Sequence, residues 1–148
     1  MKKKIICIFA IVIILLICII VYFKPLSFSN AVSENSQISM ILNEYTIKNG
    51  EPDIDVIEYK DISTEQKHAI LSLLEKYTYR RTLGTLFSDG SMSGTGTQLL
   101  YIHVYDDSLG SSVFVISPKE IVINGKNYCI ENAEQLIAQI LEIMEQTD

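Results

Sequence analysis

Apolar and polar positions fall into three regimes along this chain. From Ile5 to Phe23 the residues are apolar without interruption, directly after Lys2, Lys3 and Lys4. Nineteen such residues predict a helix of about 28 Å, close to the ~30 Å hydrocarbon thickness of a bilayer, and hence a transmembrane helix. Residues 24 to 36 then turn to Ser, Asn and Pro with little apolar content, the composition of a polar stalk. From residue 37 to 148 apolar positions recur with period two or period 3.6, as in a folded domain.

Within that domain Ile38, Met40, Leu42, Tyr45 and Ile47 read as a strand, closed by the turn signal Asn49-Gly50 and by Pro52. A second strand spans Asp53 to Tyr59, with Ile54 and Val56 alternating against Asp53 and Asp55 on the solvent face. Ser63-Thr64-Glu65-Gln66 is a capping box, and Ile70, Leu73, Leu74 and Tyr77 follow at helical spacing. Thr78 to Phe87 reads as a strand, and Ser88 to Gly96 as a Ser/Gly-rich loop. From Gln98 to Tyr105 the alternation is clearest, with Leu100, Ile102 and Val104 on one face and Leu99, Tyr101, His103 and Tyr105 on the other. Strands follow over Ser112 to Ile116 and around Asn124-Gly125, a pair suited to a type I′ turn. A final helix after Asn132 carries Leu136, Ile137, Ile140, Leu141, Ile143 and Met144 on one face. The expected fold is α+β: an N-terminal transmembrane helix, then a small antiparallel sheet with two helices packed on one face.

The three lysines ahead of the apolar run set an orientation, because positive charge is retained on the cytoplasmic side. Residues 1–4 are expected in the cytoplasm, 5–23 in the membrane, 24–36 as stalk and 37–148 as an extracytoplasmic domain of a single-pass cell-membrane protein. The rival reading is a secreted domain released by signal cleavage, since Ser27, Ser29 and Ala31 supply small residues beyond the run. A lipoprotein fits less well, because Ile17 precedes Cys18 where a small residue is required.

Charge narrows the partners. From Ala31 onward there are eight Lys plus Arg and eighteen Asp plus Glu, so 8 − 18 leaves −10 on that part of the chain. Such a surface repels phosphate backbones, which excludes nucleic acid, and it suits a cationic partner. Cys129 is the one cysteine outside the apolar run, so the domain forms no internal disulfide, and its place in a closing hairpin predicts a buried, inert thiol.

The lysine-led apolar segment, the polar stalk, a first helix opening Ser-Thr-Glu-Gln and a hairpin around Ile-Asn-Gly-Lys-Asn-Tyr before a last amphipathic helix together resemble something known. The pattern over residues 37 to 146 is similar to small extracytoplasmic domains of unknown function in Gram-positive bacteria, often found on lipoproteins. That resemblance implies a fold and a cell-surface setting. It implies no active site.

Catalytic and metal motifs are missing, and neither a cofactor nor a metal is expected. Gly94-Thr95-Gly96-Thr97 precedes a strand rather than a helix, so it reads as a loop and not a phosphate cradle. Asp53, Asp55, Glu58 and Asp61 lack the spacing of a calcium loop and read as a solvated acidic face. Asp106-Asp107 reads as a turn. Candidate ligand contacts are Tyr101, His103 and Tyr105, which share a strand face, and Arg80 and Arg81, which interrupt an otherwise acidic domain. The leading expectation is a non-enzymatic binding module, membrane-tethered, with a protein or peptide partner and a protective role against a cationic peptide as its concrete form. The alternative is a small cell-envelope enzyme built on Tyr101, His103 and Arg80 or Arg81.

Overall fold

Two Asn-Gly pairs set the frame of the sheet. Asn49 and Gly50 both have positive φ, 56° and 84°, as do Asn124 and Gly125 at 48° and 76°. Each pair therefore forms the tight turn that matches strand twist. The first joins β2 (Gln37–Lys48) to β3 (Glu51–Tyr59), and the second joins β7 (Ile121–Ile123) to β8 (Lys126–Ile130). The computed structural model describes residues 2–28, 35–92, 98–107 and 110–145, with the backbone alone at residues 2–5 and 7.

The remaining elements are α1 (Lys2–Tyr22), β1 (Leu26–Ser27), α2 (Thr64–Lys76), β4 (Thr78–Arg80), α3 (Leu83–Phe87), β5 (Gln98–Asp106), β6 (Gly110–Ile116) and α4 (Ala133–Glu145). The strands form one antiparallel sheet in the order β1-β4-β8-β7-β6-β5-β2-β3. The α+β class expected from the element order is the class observed.

Alternation decides which side each strand buries. Met40, Leu42, Leu100, Ile102, Phe114, Ile116 and Ile121 point to one side of the sheet and are almost wholly buried. Ile70, Leu74, Leu136, Ile137 and Ile140 from α2 and α4 complete that core. The capping box opens α2 as its sequence predicts, with Ser63 Oγ accepting from Gln66 N–H and Gln66 Oε1 accepting from Ser63 N–H. Gln66 also ties the two helices together, its Nε2 donating to the carbonyls of Ile143 and Met144.

The expected transmembrane helix is overturned. Among the described residues no helix is long and apolar enough to cross a membrane. Lys2 to Lys4 lie inside α1 rather than ahead of it, and the helix ends at Tyr22. The single-pass cell-membrane placement, with the domain outside the cytoplasm, rested on that span and falls with it.

Two further expectations are corrected. Within the segment read as stalk, Leu26 and Ser27 pair with Tyr79 and Thr78, and Phe28 is fully buried against Tyr79 and Phe114, at ring-centroid distances of 5.3 and 5.2 Å. The strand expected from Thr78 to Phe87 stops at Arg80, where a second capping box begins. Thr82 Oγ1 accepts from Thr85 N–H, Thr85 Oγ1 accepts from Thr82 N–H, and the short helix α3 follows. The loop Gly94 to Thr97 lies outside the described residues.

Candidate functional site

The sheet has a covered face and an open one. Opposite the helices, Ile41, Tyr101, Val115 and Val122 form a row across β2, β5, β6 and β7, because each is the register partner of the next. Tyr101 and Ile41 are half-buried and Val122 is buried by its neighbours. Beside this row lie His103, exposed, and Tyr105, 52% exposed. The three residues singled out on β5 therefore share the open face, as period two requires. Burial, and secondarily the nearby Tyr45, pushes the Tyr101 hydroxyl above its ordinary pKa.

Arg80 and Arg81 do not join them. Four strand spacings separate β4 from β5, about 19 Å at ~4.8 Å each, so no pocket contains both the arginines and the Tyr101/His103 pair. Arg80 Nη2 pairs with Glu131 Oε1 at 3.1 Å, and the Arg81 guanidinium lies 5.3 Å from the centre of the Tyr22 ring. Asp106 is buried at the end of β5 and accepts a hydrogen bond from Ser36 Oγ at 3.0 Å, a structural position rather than an open turn.

The β2–β3 hairpin extends the open face and reverses an expectation. Ile54 and Val56 are on this face, 51% and 57% exposed, while Asp53 and Asp55 lie on the helix side. The pairing of Leu42 with Ile57 and of Met40 with Tyr59 forces this, since one strand's core row continues into the next. The carboxylates tolerate that side because the helices cover it only as far as Met40 and Leu42; Thr46 and Lys48 are already exposed. Lys48 Nζ bridges Asp53 and Asp55, and its hydrogen bond and charge hold the Asp53 carboxyl below the usual carboxylate range. Glu44 sits directly opposite Asp55 and accepts a hydrogen bond from Gln98 Nε2 at 2.7 Å. The hairpin is thus an amphipathic ribbon, with Ile47, Ile54 and Val56 on one side and Glu44, Asp53 and Asp55 on the other.

At the opposite end of the sheet a groove of about 520 Å³ is lined by Gly84, Phe87, Asp89, Lys119, Asn127 and Cys129, among others. Its wall is built by hydroxyls that replace a strand. Thr85 Oγ1 donates to the Asn127 carbonyl at 2.7 Å, and Ser88 Oγ accepts from Asn127 N–H at 3.0 Å, so the free edge of β8 is closed by side chains of α3 and its C-terminal turn. The loop then presses on the β7–β8 turn at Gly90, where a Cβ would stand 2.9 Å from Gly125 Cα. Asp89 accepts from both the N–H and the hydroxyl of Ser91, which lowers its carboxyl pKa.

Cys129 faces this groove and is exposed, which corrects the buried, inert thiol expected from its hairpin. Its register partner is Arg80, on the open face, whereas Tyr128 takes the core side. In a chain carrying Cys7→Ser and Cys18→Ser, a bulky aromatic disulfide reagent should therefore label Cys129 without denaturant. A thiol that reacts only after unfolding would restore the buried assignment.

Among the described residues no three His, Cys, Asp or Glu side chains converge as metal ligands, and His68 is exposed on α2. What the sequence reading missed is the ribbon itself: Ile54 and Val56 carried the signal of a strand, and only pairing showed which way they point. No protein-family model, curated protein or solved structure matches this chain.

Proposed function

We propose that this chain is a binding module for a positively charged peptide or protein segment, and that it acts by holding that segment rather than by transforming it. The observation that carries the reading is the β2–β3 ribbon. It presents exposed apolar side chains on one side and an excess of carboxylates on the other, with Lys48 bridging Asp53 and Asp55 and Lys60 paired with Glu58. Across residues 37–59 one Lys stands against five Asp plus Glu, so 1 − 5 leaves −4 on the hairpin alone. Exposed Ile and Val contribute by leaving water on contact, and the carboxylates select the sign of the partner. Neutralisation of a cationic peptide, as in self-protection, is the concrete form that this chemistry suits.

The test is fluorescence anisotropy of the full chain with a labelled lysine-rich peptide and a glutamate-rich peptide of equal length. The cationic probe should bind, and its binding should weaken strongly between 50 and 500 mM salt as the Debye length falls from ~14 Å to ~4 Å. Replacing Asp53 and Asp55 together by Asn should weaken it further. Equal binding of both probes, or of neither, would sink the proposal.

A further inference from the structure

The two edges of the sheet are treated differently. At one end β1 is two residues long, and the exposed part of β8 is closed by Thr85 and Ser88. At the other end β3 runs for nine residues, and among the described residues no strand, helix or loop pairs with its outer side. Long open edges invite other strands, and proteins ordinarily blunt them.

The hairpin geometry identifies the groups on offer. In a two-residue turn of this kind the flanking pair, Lys48 and Glu51, is hydrogen-bonded, and the bonding then alternates along the strands. Glu51, Asp53, Asp55 and Ile57 direct their N–H and C=O groups inward to β2. Pro52, Ile54, Val56 and Glu58 direct theirs outward, where the Ile54 N–H donates to the neighbouring Asp53 carboxylate. Pro52 fits that assignment, since a residue without an N–H is tolerated where the ladder faces solvent.

We propose that the outward groups of Ile54, Val56 and Glu58 receive an added strand, and that its occupant is an extended cationic segment in which Lys or Arg alternates with Val or Ile. This rests on the reading above and assigns its binding mode. Charge complementarity chooses the occupant. Asp53 and Asp55, sharing the single cation Lys48, line the helix side of the edge with Glu51, and Ile54 and Val56 line the open side, so a period-two partner sets its cations beside the excess carboxylates and its apolar side chains beside Ile54 and Val56. A second copy of this strand would set carboxylates against carboxylates, which disfavours self-pairing.

The experiment compares two peptides of one composition on the full chain, Val-Lys-Val-Lys-Val-Lys-Val and Lys-Lys-Lys-Val-Val-Val-Val. The alternating peptide should bind at least tenfold more tightly. In its complex the amide protons of Ile54, Val56 and Glu58 should exchange at least tenfold more slowly, those of Asp53, Asp55 and Ile57 changing less. Val56→Pro, which removes one outward N–H and no inward one, should abolish the preference between the peptides, and Asp53→Asn with Asp55→Asn should weaken binding several-fold. Equal affinity for the two peptides, or protection confined to another surface, overturns strand addition while leaving a module for cationic segments. Failure of both peptides to bind overturns strand addition and that reading together.

Discussion

Truncating Leu136 or Ile140 to alanine should destabilise the chain by about 2–5 kcal/mol each, a large share of the ~5–15 kcal/mol that holds a domain of this size. Both side chains are fully buried between α4 and the sheet, and each truncation leaves a cavity that the rigid sheet cannot close. Ile143, one turn further on, is only partly buried at the rim of the same core, so its truncation should cost distinctly less. Removing residues 131–148 uncovers the sheet along the whole of α4 and should leave the chain unfolded. Urea denaturation followed by circular dichroism orders the three substitutions. A cost for Ile143→Ala above that for Leu136→Ala would contradict the packing described above.

Phe28→Ala should be nearly as damaging, at about 3–5 kcal/mol. The ring is fully buried and makes tilted contacts with Tyr79 and Phe114, which link β1, β4 and β6 through one side chain. Aromatic pairs of this kind add ~0.5–1.5 kcal/mol beyond the area they bury. A residue in a solvated stalk would change stability by less than about 0.5 kcal/mol on the same substitution, so the denaturation midpoint separates the two descriptions. Neighbouring Leu26 is only half-buried and serves as the smaller comparison.

Local patterns in the sequence determined those elements whose physics is local. The capping box at Ser63–Gln66, the two Asn-Gly turns and the strict alternation of β5 each involve groups within a few residues, and each took the conformation those residues dictate. The face of β5 that carries Tyr101, His103 and Tyr105 was legible for the same reason. Elements shorter than one period were not. A two-residue strand has no alternation to read, and the five residues of α3 hold barely more than one turn, although Thr82 and Thr85 stand at capping-box spacing.

Tertiary structure alone decided where each face points. Asp53 and Ile54 alternate equally well in either orientation, and the pairing of Leu42 with Ile57 chose the one that leaves Ile54 and Val56 open. The same one-residue choice turned Cys129 to the groove and Tyr128 to the core, because a strand can offer a helix-covered face only every second side chain. Whether β3 is a central strand or an edge is written in no segment of the chain, since it depends on which strands fill the other places in the sheet. The apolar run near the N-terminus marks the same boundary. Its composition is local and reads as a span, yet among the described residues no helix is long and apolar enough to cross a membrane.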